Sequence, residues 1–313
     1  MGIKVGVALG SGAARGWAHI GVLRALQEMG VKPDILCGTS IGAAVGAAHL
    51  TDQLDALQDW AQRMGWLGML GIIDLTFRRG GLVAVEKAID PFLNERTDVR
   101  IEDLPIPFAA AATDLSTGRE VWLRDGPLLP AVLASAAMPG LFPAVPRDGQ
   151  WLVDGALVNP VPVSLCRALG ADVVIAVNLN SERTWLGRRP EGKASPASSV
   201  AEALPPAITQ LTDQVAGWLG RKPNQRTRFL AEQLDQSHGP TPNALEVMAG
   251  SIDIMQDRIT RSRLAGEPPD ALIAPRLGHI GILDFDRAAE AVELGRAATL
   301  LLRPHIEQAL AGA

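Results

Sequence analysis

The chain has 313 residues, of which 47% are hydrophobic, and it contains no heptads, collagen-like triplets or short repeats. These properties exclude a fibrous or solenoid protein and predict a globular one with a large core. The formal net charge of −5 and the scattered arginines provide no broad basic face for a phosphate backbone, so we do not expect nucleic-acid binding.

The first unit of the chain is a strand, a glycine-rich loop and a helix. Residues 3–9 form a short apolar run, and Gly30 ends a helical pattern whose apolar face carries Ile20, Leu23, Leu26 and Met29. The loop that opens this helix reads Gly10-Ser11-Gly12-Ala13-Ala14-Arg15-Gly16. Backbone N–H groups concentrate partial positive charge at a helix N-terminus, so the loop is expected to bind an anion.

An oxyanion hole is the function that fits this loop best. A dinucleotide fingerprint requires its third glycine one residue earlier and an acidic residue after the next strand, and a Walker loop requires a lysine after its last glycine. Peptide N–H groups in residues 10–16 would instead stabilise the alkoxide of a tetrahedral intermediate. A plain tight turn between strand and helix is the alternative.

The second unit contains a serine flanked by glycines. A strand begins at Ile35, residues 41–49 form a helix of small residues, and between them stands Gly38-Thr39-Ser40-Ile41-Gly42. A serine exposed on a sharp strand-to-helix turn is a nucleophile elbow, and side chains at positions 38 and 42 would collide with the neighbouring strand and helix. Ser40 is therefore the predicted nucleophile, with Gly38 and Gly42 shaping the elbow.

Later segments complete an α/β protein. Helices are predicted at residues 53–63, 83–94, 245–265 and 286–302, the last capped by Asp286, and interior strands at residues 108–112, 173–179 and 271–274. Successive strand–loop–helix units predict a three-layer α/β/α fold around a central, mostly parallel sheet. We expect one domain spanning residues 1–313.

Residues 181–242 are expected to form a flexible or partly helical insertion in that domain, because prolines and glycines accumulate there. Within it one helical face carries Ile208, Leu211, Val215, Trp218 and Leu219, and the basic pair Arg221-Lys222 follows. Peripheral membrane contact is one interpretation of this face, and packing against the protein's own core is the other.

A serine nucleophile needs a base. The five histidines, His19, His49, His238, His279 and His305, share no local context that favours any of them. A partly desolvated carboxylate can replace imidazole when a rigid turn holds it. Asp154 fits, because it ends the strand-like residues 151–153 and is followed by the small Gly155-Ala156. Asp114 is the second candidate, although its position before Ser116 favours a turn former.

These motifs, in this order, resemble the patatin-like phospholipase family, and the chain looks like a bacterial member. The family's oxyanion loop, G-x-G-x-x-[RK]-G, matches residues 10–16, its elbow matches residues 38–42, and its catalytic D-G-[AG] matches Asp154-Gly155-Ala156. Residues 134–143 also resemble a block that precedes the aspartate. The likeness covers about residues 1–180 together with the terminal strand and helix, and residues 181–242 match no family block.

The resemblance implies a serine acyl hydrolase of phospholipase, lysophospholipase or esterase type that acts on lipid or other acyl esters. Ser40 and Asp154 would form a Ser-Asp dyad with an acyl-serine intermediate, and no metal or organic cofactor is implied. An acyltransferase or thioesterase of related fold, and a regulatory or scaffold protein that keeps the fold, are the alternatives. Arg15 is expected to pair with a structural carboxylate rather than with a lipid phosphate. Residues 66–73 would line an acyl groove or pack in the core.

Location is predicted from what the chain lacks. Cys37 and Cys166 are too few for a disulfide framework or a thiolate metal site, so both are expected to be reduced core thiols. The N-terminal residues enter a strand directly, and the longest apolar run, residues 66–73, is far shorter than the roughly 20 residues that span a bilayer. We expect a cytoplasmic protein, with any membrane contact peripheral at the inner surface.

Overall fold

The computed structural model describes residues 2–63, 94–182 and 244–312. The predictions that lie outside the described residues are the apolar run at 66–73, all but the last residue of the helix at 83–94, and nearly all of the segment 181–242. The chain divides into two compact units, Met1–Trp185 with Ile252–Ala313, and Leu186–Ser251. The first unit contains the whole described sheet.

Eight strands and eight α-helices are formed by the described residues. The strands are β1 (Val5–Leu9), β2 (Ile35–Thr39), β3 (Phe108–Asp114), β4 (Glu120–Leu123), β5 (Val145–Arg147), β6 (Gln150–Asp154), β7 (Val173–Val177) and β8 (Ala271–Ile273). The helices are α1 (Ala18–Glu28), α2 (Ile41–Leu50), α3 (Leu54–Arg63), α4 (Leu128–Ser135), α5 (Val163–Ala168), α6 (Ala244–Gly266), α7 (Ala288–Leu301) and α8 (Arg303–Ala311).

All eight strands belong to one sheet. Its parallel part runs β3-β2-β1-β7-β8, and β4, β5 and β6 extend it through antiparallel pairs. Side chains of β1 alternate between two cores: Val7 and Leu9 pack with α1, α2 and α7, whereas Ala8 packs with α5 on the opposite face. Burial of both faces explains the continuous apolar strands, and it confirms the predicted three-layer α/β/α fold with a mostly parallel sheet.

Two strands meet end to end along one edge of β3. Ala110 pairs with both β2 and β4, and Ala112 pairs with both β4 and β6, so β2 and β6 must share the edge opposite β4. Strand β2 runs parallel to β3 and ends beside Ala111, whereas β6 runs antiparallel and ends beside Ala112. The carboxyl ends of β2 and β6 therefore face each other, which brings the residues that follow them together.

The structure confirms the predicted end of α1 at Gly30 but not the predicted cap of α7 at Asp286. At the end of α1, Gly30 adopts a left-handed φ of 77° and its N–H donates to Gln27 O, while Val31 N–H donates to Leu26 O, which is a Schellman motif. The predicted Asp286 cap of the last long helix is wrong. A 3-10 turn, Phe285–Arg287, precedes α7, and Asp286 lies inside that turn, so Arg287 is the N-cap residue of α7. Phe285, the first residue of the turn, packs edge-on against Trp17.

Among the helices of the described segments, none is long and apolar enough to cross a membrane.

Candidate active site

Ser40 lies on a strained turn between β2 and α2. Its backbone has φ 58° and ψ −125°, a left-handed conformation that a residue with a side chain rarely adopts. A Cβ atom on Gly38 would lie 2.5 Å from the backbone of Ala43, and one on Gly42 would lie 2.2 Å from Leu9 O. Both glycines are therefore required by backbone atoms, as an elbow of this kind demands.

The meeting of β2 and β6 brings Ser40 against Asp154. The Ser40 hydroxyl donates to Asp154 Oδ2 over 2.6 Å, and Ala156 N–H donates to Asp154 Oδ1 over 2.8 Å. Ser40 is 5% exposed and Asp154 is 2% exposed. The carboxyl group is thus held by its own turn and directed at one hydroxyl, and both side chains are buried.

Burial raises the pKa of Asp154 to about 6, although hydrogen bonds from Ser40 and Ala156 oppose the shift. Desolvation disfavours the ionised carboxylate, whereas the two donors stabilise it. A carboxyl group with a pKa near 6 is mostly ionised at neutral pH and is a stronger base than an ordinary aspartate.

Neighbouring polar groups hold the backbone on both sides of this pair. Ser40 N–H donates to Ser135 Oγ over 2.9 Å, and the Ser135 hydroxyl donates to Ala111 O over 2.6 Å. The Thr39 hydroxyl donates to Asn159 O, and the Thr113 hydroxyl donates to Asp154 O, each over 2.8 Å. The elbow and the aspartate turn are therefore both linked by hydrogen bonds to β3, and the Thr39 hydroxyl links the elbow to the segment that follows Asp154.

Most backbone amides of the glycine-rich loop are already bonded. The occupied donors and their acceptors are Gly10 with Val177 O, Ser11 with Pro160 O, Ala14 with Ile282 O and Arg15 with Gly12 O. Within the described residues, the amides of Gly12 and Ala13 have no protein acceptor. The loop thus offers two adjacent N–H donors where the sequence predicted donors over residues 10–16.

The same loop touches the elbow at both of its ends. The carbonyl of Gly10 would lie 2.6 Å from a Cβ on Gly42, and a Cβ on Gly16 would lie 2.1 Å from the Ile41 side chain. Ala13 has a positive φ of 46°, a second strained residue at this site. The free amides therefore belong to a loop that is packed directly against the residues following Ser40.

Arg15 is a structural residue of the loop. Its guanidinium donates to Asp253 through two nitrogens, at 3.2 and 2.8 Å, and also to Asn180 Oδ1 and Ile280 O. The side chain is 1% exposed. Asp253 is thus the structural carboxylate partner that the sequence favoured, and the guanidinium is buried rather than presented at the surface.

Neither the histidines nor Asp114 compete with Asp154 in the described residues. No ring of His19, His49, His279 or His305 bonds to Ser40 or Asp154 there, and His238 lies outside those residues. Asp114 accepts hydrogen bonds from Ser116 and Thr117 in its own turn, and these bonds lower its pKa. It is the turn former that its sequence context indicated.

His19 has a structural function that the sequence did not reveal. Its Nε2 lies 2.7 Å from Gly10 O, so Nε2 carries the proton, and burial lowers the pKa of the ring to about 4. Because the folded pKa is below the ordinary 6.5, stability is complete above pH 6.5 and is lost as the pH falls towards 4, by about 3 kcal/mol. The His19→Gln variant should lack this loss.

Urea titrations of wild type and His19→Gln at pH 7.5 and pH 4 measure how much stability each protein loses between the two pH values. Other titrating groups contribute equally to both losses and cancel when the two losses are compared. The exposed His305, replaced in the same way, provides the matched control. A wild type that loses no more stability than His19→Gln would contradict the assignment.

Ser135 and Asn159 are site residues that sequence reasoning missed. Ser135 lies inside the family-like block at residues 134–143, and Asn159 follows Asp154 by five positions, so both stand near motifs that were recognised. Their partners, Ala111 O and the Thr39 hydroxyl, come from other strands and have no local signal.

Comparisons with known proteins show which sequences this chain resembles. The family model described as patatin-like phospholipase matches residues 7–167, just over half of the chain. Uncharacterised NTE family proteins of Mycobacterium tuberculosis and Mycobacterium bovis are 34% identical over 322 residues, covering 94% of this chain and 89% of theirs. Mouse patatin-like phospholipase domain-containing protein 7 is 36% identical over 187 residues, 58% of this chain and 14% of the mouse protein.

Among solved structures, VipD from Legionella pneumophila aligns with 97% of this chain and 67% of its own, with a TM-score of 0.47 and 14% identity. The family model and the mycobacterial relatives both match the sequence of this chain over half of its length or more. The chain therefore belongs to the patatin-like phospholipase family, and this membership supports lipid hydrolysis as its function.

Proposed function

We propose that this protein is a serine acyl hydrolase in which Ser40 is the nucleophile and Asp154 the general base. The observation that carries the proposal is the 2.6 Å hydrogen bond from the Ser40 hydroxyl to a buried, preoriented carboxylate. A nucleophile and base within hydrogen-bond reach, with the base held by another group, is the arrangement that nucleophilic catalysis requires. Ala156 N–H is the group that holds Asp154.

In the first half-reaction, Asp154 takes the proton of Ser40 while Oγ attacks the carbonyl carbon of the ester. The C–O bond to the alcohol then breaks, the leaving oxygen takes the proton from Asp154, and an acyl-serine remains. In the second half-reaction, Asp154 takes a proton from water while the water oxygen attacks the acyl carbon. The bond from that carbon to Ser40 Oγ then breaks, Asp154 returns the proton to Oγ, and the fatty acid leaves. The raised pKa of Asp154 suits both directions of proton transfer near neutral pH.

The amides of Gly12 and Ala13 are the proposed oxyanion donors of the loop formed by residues 10–16. They are the two loop donors without a protein acceptor among the described residues, whereas Ser40 N–H is bonded to Ser135. Each well-placed donor stabilises the tetrahedral intermediate by about 3 to 4 kcal/mol. This narrows the sequence prediction from seven residues to two peptide groups.

The proposed substrates are lipid or long-chain acyl esters, because the family is one of phospholipases and the matching mouse protein carries that name. The dyad reaction requires no metal or organic cofactor. From the sequence we also propose a cytoplasmic location, peripheral contact with a membrane, and a single domain in which residues 181–242 form an insertion.

Labelling with a fluorophosphonate probe tests the proposal. The wild type should be labelled in a time-dependent reaction, Ser40→Ala should not be labelled, and Asp154→Asn should be labelled at least about 100-fold more slowly. Ser251→Ala, which removes an exposed serine of α6, should match the wild type. Equal labelling of Ser40→Ala and wild type would refute the nucleophile.

A wild type that is not labelled and hydrolyses no member of an ester panel of varied chain length would favour the regulatory or scaffold alternative. Transfer of the acyl group to an added alcohol in preference to water would favour the acyltransferase alternative.

A further inference from the structure

Helix α6 holds the glycine-rich loop through a buried polar network. Asp253 and Gln256, one turn apart on α6, reach the loop residues Arg15 and Ser11 respectively. Asn180, which follows β7, bonds to both Arg15 and Gln256 and so closes the network. We infer that Asp253 and Gln256 are positioning residues for the loop's free amides, an inference that rests on the proposed function.

The first anchor is the ion pair between Arg15 and Asp253. Two guanidinium nitrogens engage the two carboxylate oxygens, and the arginine is 1% exposed while the aspartate side chain is 16% exposed. A buried guanidinium that loses its carboxylate partner is costly, so the pair fixes where Arg15 can lie. Planar bidentate contact also fixes the direction of the side chain, and hence of the loop backbone that carries it.

The second anchor is the amide of Gln256. Its Oε1 accepts from the Ser11 hydroxyl over 3.2 Å and from Asn180 Nδ2 over 3.0 Å, and all three residues are buried. Ser11 is the residue that immediately precedes Gly12. Gln256 therefore holds Ser11, before the two free amides, and Asp253 holds Arg15, after them. Both contacts come from α6.

Gly12 and Ala13 stand between these two anchors. Ala13 is held at φ 46°, a conformation that an unconstrained alanine would leave, and neither amide is bonded to a protein acceptor in the described residues. Restraint on both sides is what keeps a strained peptide in place. Loosening either anchor should let the two N–H groups turn away from the oxyanion position while Ser40 and Asp154 stay bonded.

The test compares Asp253→Asn with Asp257→Asn. Both are aspartates of α6 that pair with an arginine, but Asp257 pairs with the largely exposed Arg261 and is four residues further along the helix. Asp253→Asn should lower kcat by between about 10- and 100-fold with KM changed less than threefold, because a misplaced group of this kind acts on the transition state. Asp253→Glu, which keeps the charge, should recover part of the loss, and Asp257→Asn should match the wild type.

Hydrogen–deuterium exchange of the peptide that covers residues 10–17 is a second readout, independent of turnover. Asp253→Asn should speed exchange in that peptide, and it should leave the peptide that covers residues 150–157 unchanged. If this variant does not fold, Gln256→Met, which keeps the volume and removes the acceptor, replaces it in both measurements.

Unchanged exchange at residues 10–17 would overturn the inference, whatever the activity. If the wild type is active and Asp253→Asn has the same kcat as Asp257→Asn, the inference is also overturned, while the proposed function stays intact. If the wild type is neither labelled by fluorophosphonate nor active on esters, the proposed function fails, and the exchange measurement still decides whether α6 holds the loop.

Discussion

Replacing Asp154 by asparagine is expected to lower kcat/KM at pH 8 by between about 10²- and 10⁴-fold and, at the same pH, to raise the free energy of unfolding by about 3 kcal/mol. The activity falls because an amide cannot take the Ser40 proton. The hydrogen bond from Ala156 is kept, since the asparagine Oδ1 can accept it and its Nδ2 can donate to Ser40 Oγ. Loss of function and gain of stability thus have one cause.

The stability gain follows from the direction of the pKa shift. The pKa of Asp154 is about 6 in the folded protein and near 3.9 in the unfolded chain, so folding favours the protonated form. The stabilising contribution of this group is complete below pH 4 and is lost as the pH rises to 6, and above pH 6 the fold must contain a buried carboxylate. An asparagine is neutral at every pH and removes that penalty.

Asp114→Asn is the matched control, because Asp114 is also poorly exposed but its pKa is lowered by bonds from Ser116 and Thr117. Its replacement should reduce stability at pH 8 and leave activity within a few-fold of the wild type. Urea unfolding at pH 4 and pH 8, together with a kcat/KM profile, measures both effects. The wild-type profile should fall below pH 6, and an Asp154→Asn protein that is less stable than wild type at pH 8 would contradict the assignment.

The elbow was predictable from the sequence because its reasons are local. Gly38 and Gly42 are needed by backbone atoms of Ala43 and Leu9, which lie within the two units that carry the motif. The strand and helix around Ser40 have clear apolar patterns, so the turn between them could be placed to within a residue. The class of the fold followed from the same repetition of strand, loop and helix.

The contact between Ser40 and Asp154 could not be derived from a local pattern. The two residues are 114 positions apart, and they meet because β6 turns back along the edge of β3 that β2 leaves free beyond Ala111. Alternation and propensity specify a strand but not which edge it joins. Asp154 was therefore identified as a candidate by its turn chemistry and by resemblance, and its position relative to Ser40 required the fold.

Which amides of the glycine-rich loop are free could not be predicted from the sequence, for a similar reason. Which amides stay free depends on carbonyls of Val177, Pro160 and Ile282, all more than 140 residues from the loop. The contribution of α6 depends on Asp253 and Gln256, which have no motif in the sequence. Short elements such as β4, β5 and α5 were also missed, because a few residues carry too little periodicity to register.

A second large effect is expected for Gly42→Ala. The new Cβ would lie 2.2 Å from Leu9 O and 2.6 Å from Gly10 O, so backbone atoms of β1 and of the glycine-rich loop would have to move. Overpacking of this kind costs about 1 to 3 kcal/mol or more, which exceeds the gain of at most about 1 kcal/mol from replacing a helical glycine by alanine. Because the clash is with backbone atoms, we expect a cost near the upper end of that range and a net loss of about 2 kcal/mol in the free energy of unfolding.

Activity should fall further than stability, because the clash separates the two parts of the site. Gly42 forms one of the two contacts between the elbow and the loop, and a displacement of 1 Å between nucleophile and oxyanion donors lowers kcat/KM by about 10²-fold. Gly46→Ala is the control within the same helix. Its Cβ would lie 2.8 Å from the end of the Leu36 side chain, and a side-chain end can shift where a backbone atom cannot. That variant should retain activity within a few-fold, and a Gly42→Ala protein as active as Gly46→Ala would show that the loop and the elbow need no close packing.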